Sequence, residues 1–314
     1  MQQVALLLVT LQLGVALLRP IHFNSFSLIN SRFDKMRTKL YTTLQDSISS
    51  ESLLKSIKEG PIPECDREYI INGWRWHTAS VIRDLNRFLD VVRSLESTIH
   101  AKSVGSETDG LNKAETMNRL IESYNYVCNF NMKALIKVER EIFFPWLQDL
   151  LPRSAGTLMK AILDEHIAIN TASASIGSIC NSLERITAAP VMTASNKKDI
   201  LVNIKRINEL VDDLLTSSLR IQKCQESVFV PYIAAYVKKG DQERFNRQVI
   251  AKLGLLDAQV HIVGMYEAIK NKPSEIKLFK AQIPKIAQAM IPVWKKRLYN
   301  PKTVCLSDAE EVAV

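Results

Sequence analysis

A short aromatic and proline-containing segment occurs twice in this sequence, each time at the end of a long helical pattern. The first copy is EREIFFPWLQDLL at residues 139–151, and the second is QESVFVPYIAAYV at residues 225–237, 86 residues later. The copies match in their phenylalanines, prolines and following aromatic residues, which are Phe143 and Phe229, Pro145 and Pro231, and Trp146 and Tyr232. Such self-similarity at a fixed spacing indicates a duplicated supersecondary unit, here a helical hairpin.

Apolar residues recur with helical spacing around both copies. Four long helices are predicted, over residues 67–100, 111–151, 155–188 and 197–237. His77 and His166, 89 residues apart, lie on the apolar faces of the first and third helices. Long helices with short connections pack antiparallel, so we expect an all-α fold. Its core is an up-down four-helix bundle whose two hairpins are related by a pseudo-two-fold axis.

The predicted organisation extends beyond this bundle. The 314 residues include only ten glycines and eleven prolines, which favours helices over sheets throughout. Further helices are predicted over 243–255, 258–270 and 274–298, the last with Ile283, Ile286, Met290 and Trp294 on one side. The predicted regions are a short helix and linker (44–66), the bundle (67–239), a C-terminal helical extension (240–300) and an acidic tail (301–314), of which residues 306–314 are predicted to be disordered.

Residues 1–43 form a candidate targeting segment. Residues 4–18 are uncharged and apolar, and a helix of that length spans about 22 Å, short of the roughly 30 Å hydrocarbon core of a bilayer. The run fits the core of a signal peptide, and the acid-free basic stretch after it resembles an organelle transit peptide. This favours an organelle or the secretory pathway, with membrane contact through the apolar run. The alternative is a hydrophobic helix packed on the domain of a cytoplasmic protein.

The composition excludes several classes of function. The five cysteines form no CxxC or Cys/His cluster, so neither a zinc site nor a disulfide framework is indicated. No Gly-rich phosphate loop, nucleophile elbow or HExxH motif occurs, and no basic–aromatic pattern predicts a nucleic-acid partner. The formal charge is +8, and residues 238–297 contain 13 Lys or Arg against five Asp or Glu. This bias favours an acidic partner or a membrane surface, unless it is only a solvated helix surface.

The repeat places His and Glu, which commonly bind metals, at corresponding heights along the predicted helices. Helical bundles often build metal sites from inward-facing His and Glu. Sixty-two residues separate His77 from Glu139, and 59 separate His166 from Gln225, which Glu226 follows. Antiparallel helices of this length return to the same level, so His77, Glu139 and His166 are candidate metal ligands. Glu226 is a weaker candidate.

With these motifs, residues 67–237 resemble the hemerythrin-like family, also called the HHE cation-binding domain. In that family each hairpin offers a histidine on its first helix and HxxxE on its second, followed by an apolar-Phe-Pro ending. These ligands hold a carboxylate-bridged di-iron centre that binds oxygen. The segments WHTASVIRDLNRFL and EREIFFPWL resemble the motifs of the first hairpin, and LDEHIAI and QESVFVPYI resemble those of the second.

Three of the six ligands implied by this resemblance are missing. Leu135 and Ile221 stand where the family has histidine, and Gln225 stands where it has the second glutamate. Leucine and isoleucine cannot donate to iron, and a di-iron site needs roughly five or six protein donors.

Two functional hypotheses follow from these departures. In the first, the bundle has lost its di-iron centre, has no cofactor and no catalytic residues, and acts as a structural or interaction module with a protein partner. In the alternative, His77, Glu139 and His166 hold one iron as a facial triad, with sensing or oxidase-type activity. Each residue also has a plainer interpretation, as a hydrogen-bonded core histidine or as half of a buried His–Glu pair.

Overall fold

The computed structural model of the chain describes residues 69–102, 110–150, 156–188 and 193–307. These residues belong to one compact unit, are helical nearly throughout and contain no β-strand. The all-α fold class is therefore confirmed for the part of the chain that the structure describes. The predicted targeting segment (1–43) and the predicted short helix and linker (44–66) lie outside the described residues.

Eight helices follow one another along the described chain. They are α1 (Asn72–Lys102), α2 (110–148), α3 (Gly156–Thr187), α4 (194–236), α5 (Lys239–Leu253), α6 (Leu255–Ile269), α7 (Pro273–Gln282) and α8 (285–303), and a 3-10 turn (Val304–Leu306) follows α8. Helices α1 to α4 cover the four predicted long helices, although α1 begins at Asn72 rather than at Arg67.

Three of these helices contain π-helical segments. They are Asn125–Met132 and Glu139–Phe143 in α2, Gln225–Phe229 in α4, and Lys295–Tyr299 in α8. The segments Glu139–Phe143 and Gln225–Phe229 occupy equivalent places in the two sequence copies, and a proline follows each of them in the next helical turn. Proline cannot donate to the carbonyl four residues earlier, and a wider turn ahead of it accommodates that loss.

Helix α1 is packed on several sides. It contacts α2, α4 and α6, and α3 contacts α2 and α4. Phe143 and Phe229, the equivalent phenylalanines of the two copies, are fully buried with their ring centroids 6.2 Å apart. Phe143 also stacks on Trp74 of α1 at 4.3 Å. The two aromatic helix endings therefore share one core, and burying each such ring stabilises the fold by about 1.5–3 kcal/mol.

The C-terminal region differs from the prediction in two places. The single helix expected over 274–298 is wrong, because Pro284 lacks an N–H and excludes helical backbone at Ile283, whose φ and ψ are −99° and 135°. Of the residues predicted on one side of that helix, Ile283 lies at the break, and Ile286 and Met290 are 78% and 36% exposed. Disorder was predicted from residue 306, but Leu306 ends a 3-10 turn that follows α8, and both Cys305 and Leu306 are buried.

Candidate functional site

The buried carboxylate of Glu139 is the meeting point of four helices. Its Oε2 lies 2.8 Å from Nε2 of His166 in α3. Its Oε1 accepts hydrogen bonds from Nε1 of Trp74 in α1, at 2.8 Å, and from Nε2 of Gln225 in α4, at 2.7 Å. Glu139 is 2% exposed and His166 is 1% exposed. We call these four residues the Glu139 cluster.

The hydrogen bonds of the Glu139 cluster keep the carboxylate charged. Burial alone would raise the pKa of Glu139, but the hydrogen bond and charge of His166 oppose it, together with the hydrogen bonds from Trp74 and Gln225. The pKa of Glu139 therefore lies below its usual value of 4.5. A buried charge is tolerated when it is paired and hydrogen-bonded, and both carboxylate oxygens have partners here.

A second buried polar cluster lies further along α1, about one to three turns beyond Trp74. Oδ1 of Asp84 accepts hydrogen bonds from Nε and a terminal nitrogen of Arg83 at 2.8 and 2.6 Å, and Oδ2 accepts one from Nδ2 of Asn131 at 2.8 Å. Oδ1 of Asn131 in turn lies 3.0 Å from Nε2 of His77. We call His77, Asn131, Asp84 and Arg83 the Asp84 cluster.

The structure brings together only some of the candidate ligands. Glu139 and His166 form a buried pair. His77 is also buried, and burial lowers its pKa to about 4 although the charge of Glu139 opposes this shift. Its Nε2 contacts Asn131 rather than this carboxylate. The Glu226 side chain is 43% exposed and forms an ion pair with Arg75 at 3.5 Å. Glu226 therefore lies at the surface, outside the Glu139 cluster.

The residues at this site do not fit a di-iron centre. Leu135 and Ile221 are apolar and buried, so they occupy the expected histidine positions without offering a donor atom. Gln225 turns its amide N–H toward Glu139 and so acts as a hydrogen-bond donor. In the described part of the chain, no three His, Cys, Asp or Glu side chains are placed to hold a metal ion.

The sequence does not single out Asn131, Asp84 or His261. The sequence nevertheless contains a pattern that could have identified the first two. Asn131 stands two turns before Glu139, on the same helix face as Leu135. Asp84 stands two turns after His77, on the apolar face of α1. Polar residues on apolar faces are candidates for buried networks. His261 had no such signal. Only tertiary packing brings its ring to 4.6 Å from that of His77, measured between centroids.

We expect the free energy of unfolding to fall as the pH is lowered from about 6.5 to about 4. Burial lowers the pKa of His77 to about 4 and the pKa of His261 well below 6.5. Both rings bind protons more readily in the unfolded chain, so their contribution is fully present above pH 6.5 and is lost as the pH falls. For His77 alone the loss reaches about 3 kcal/mol at pH 4. Urea unfolding followed by circular dichroism at a series of pH values measures it.

Between pH 6.5 and 5 the two histidines lower the stability as they take up protons, whereas burial raises the pKa of Asp84 and protonation of that carboxylate acts in the opposite direction. Glu139 has a lowered pKa, so its contribution to stability disappears only below its usual value of 4.5. The variant His261→Phe keeps a ring against Phe130, which stacks on His261 at 4.6 Å, but removes one titrating group. Its stability should depend less steeply on pH. An equal pH dependence in the unmodified protein and in His261→Phe between pH 6.5 and 5 would contradict burial of a neutral imidazole at position 261.

Comparison of the chain with protein-family models, with curated proteins and with solved structures found no match. The resemblance to hemerythrin-like proteins therefore rests on the sequence motifs. Among the helices that the structure describes, none has both the length and the apolar character needed to cross a membrane.

Proposed function

We propose that this protein is a hemerythrin-like four-helix bundle in which hydrogen bonds to Glu139 take the place of the di-iron centre. In this proposal it acts as a structural or interaction module. The observation that carries the proposal is that one side chain from each of α1, α3 and α4 donates to the Glu139 carboxylate of α2. Glu139 stands at a ligand position of the family motif, and its oxygens are engaged by protein donors.

Three features support an up-down bundle with a pseudo-two-fold repeat. Helices α1 to α4 contact one another in a closed circuit. A two-fold axis that relates two repeats brings equivalent residues into contact when those residues lie close to the axis. Glu139 and Gln225, 86 residues apart, are hydrogen-bonded to each other, and the equivalent Phe143 and Phe229 are in ring contact. The π-helical segments that contain these residues are equivalent as well.

The Glu139 cluster has the properties of a structural element. Hydrogen bonds to a charged group contribute about 1.5–3 kcal/mol each, more than neutral ones. Because the donors come from three other helices, the cluster favours one arrangement of the four helices over alternatives that leave the charge unpaired. We infer that it replaces a metal centre in holding the middle of the bundle, and that the module functions through its surface.

We expect the full-length protein, purified after expression with added iron, to contain far less than one iron per chain. It should also lack the absorption band of bridged iron. The reason is that Leu135 and Ile221 offer no donor atoms and Gln225 is a weak, neutral ligand. Elemental analysis by mass spectrometry and an ultraviolet–visible spectrum provide the measurement.

Other metal contents would discriminate between the two hypotheses. Two irons per chain would end the proposal. One iron per chain, lost in both His77→Ala and His166→Ala while the helical circular dichroism is kept, would favour the alternative mononuclear site that includes Glu139. Glu226→Ala is the matched control, because this carboxylate is exposed and paired with Arg75.

A further inference from the structure

Helix α8 presents an apolar stripe to solvent. Ile286, Met290 and Val293 follow the spacing i, i+4, i+7, which places them on one helix face. They are 78%, 36% and 39% exposed. The helix packs on α6 and buries Ile291 and Tyr299. The stripe therefore does not belong to the core of the described unit.

The chain around this stripe is basic and contains no acidic residue. Residues 276–307 include seven Lys or Arg and no Asp or Glu. Five of these cations are exposed and form no ion pair within the described residues, namely Lys277, Lys280, Lys285, Lys296 and Arg297. By contrast, Lys295 is neutralised by Glu267 at 2.8 Å. Apolar and positively charged side chains thus share the outer surface of α8.

We propose that this face of α8 binds the surface of an anionic lipid membrane. Amphipathic helices with basic flanks lie in the plane of the interface, with their apolar residues below the headgroups. Ile286, Met290 and Val293 would enter the acyl region, and the flanking Lys285, Lys296 and Arg297 would contact the lipid phosphates. Each cation near an anionic surface increases binding about fivefold. The proposal does not depend on the Glu139 cluster or on the presence of metal.

The charge and shape of this face favour lipid over a protein partner. Pairing with the same face of a second copy would bring two basic surfaces together, and like charges oppose such an interface. The apolar residues lie on the outer side of a single helix, and Ile286 protrudes with most of its surface in solvent. A protruding side chain between cations suits insertion between headgroups.

The test is flotation of the full-length protein with phosphatidylcholine vesicles prepared with and without phosphatidylserine. We expect binding to the vesicles that contain phosphatidylserine and weaker binding as salt is added. Removing the stripe or reversing the charges beside it should each reduce partitioning at least about tenfold. The two triple variants are Ile286→Ser/Met290→Ser/Val293→Ser and Lys285→Glu/Lys296→Glu/Arg297→Glu.

Control variants elsewhere on the surface test whether binding depends on α8 or only on the total exposed apolar area and charge of the protein. Ile167, Val202 and Leu256 are 57%, 59% and 71% exposed, so their replacement by serine removes comparable apolar surface. The charge control is Lys133→Glu/Lys205→Glu/Lys223→Glu, at three exposed lysines. Both controls should bind vesicles like the unmodified protein, with unchanged circular dichroism in all variants.

Several results would overturn the proposal. One is that both α8 variants still bind the vesicles, and another is that the protein binds vesicles without phosphatidylserine. In either case the apolar run at residues 4–18 would account for the binding. Another is loss of binding in the control variants to the same extent. Failure of the unmodified protein to bind anionic vesicles would also overturn it, and retention on an acidic protein helix instead would assign the face to a protein partner.

Discussion

Replacement of Glu139 by alanine is expected to destabilise the protein by about 3–5 kcal/mol, because a buried pair loses one partner. His166, the Trp74 indole N–H and the Gln225 amide would all remain buried without their acceptor. Each unsatisfied buried polar group costs about 1–3 kcal/mol. Urea unfolding at neutral pH, followed by circular dichroism, measures the change in the free energy of unfolding.

Two control variants test whether the charge and the buried position of Glu139 cause the expected loss of stability. Glu139→Gln keeps one carbonyl oxygen for the Trp74 and Gln225 donors, so we expect a smaller loss. Glu141→Ala removes an exposed carboxylate paired with Lys252, and should leave the unfolding midpoint nearly unchanged. Equal effects of Glu139→Ala and Glu141→Ala would show that the Glu139 cluster does not hold the helices together.

A chelator distinguishes hydrogen bonding from metal binding as the source of this stability. If donors from the protein satisfy Glu139, treatment with a chelator should leave the midpoint of the unmodified protein unchanged. A metal that binds only the folded chain adds stability by mass action, and its removal lowers the midpoint. A chelator-sensitive midpoint that becomes insensitive in Glu139→Ala would therefore support the mononuclear alternative.

Apolar periodicity was sufficient to predict helices α1 to α4 and the inward positions of His77, Glu139 and His166. The reason is that a spacing of three and four residues directly reports the buried face of a helix. The break at Pro284 was also visible in the sequence, because proline removes a backbone donor and restricts Ile283. The periodicity of the apolar residues beyond it nevertheless predicted one continuous helix.

The partners of the buried polar residues could not be predicted in this way. The π-helical segment Asn125–Met132 has more residues per turn than an α-helix, so it rotates the side chains beyond it relative to a regular helix. The spacing of a regular helix therefore could not predict that His77 contacts Asn131 rather than Glu139. The role of Gln225 could not be predicted either, because a glutamine side chain can donate, accept or face solvent.

The second large effect is expected for Asp84→Ala, also about 3–5 kcal/mol. Asp84 is fully buried, and its removal takes from the Arg83 guanidinium and the Asn131 amide their shortest hydrogen bonds. Arg83 also donates to the Gly264 carbonyl of α6 at 3.0 Å and to the Tyr299 hydroxyl of α8 at 2.7 Å. The loss of stability should therefore extend from α1 to the C-terminal helices. Urea unfolding and amide hydrogen exchange by mass spectrometry measure the two effects.

The exchange pattern of Asp84→Ala tests whether residues 240–300 are an extension or part of one cooperative unit. If the Asp84 cluster joins them to helices α1 to α4, amides of α6 and α1 should lose protection together. Asp212→Ala is the control, because its ion pair with Arg93 is long, at 3.9 Å, and exposed, and it should change stability by less than about 1 kcal/mol. Protection lost in α1 but kept in α6 would mean that the C-terminal helices unfold separately. The division at residue 239 would then mark a real boundary in stability, although Arg83 bridges it in the folded chain.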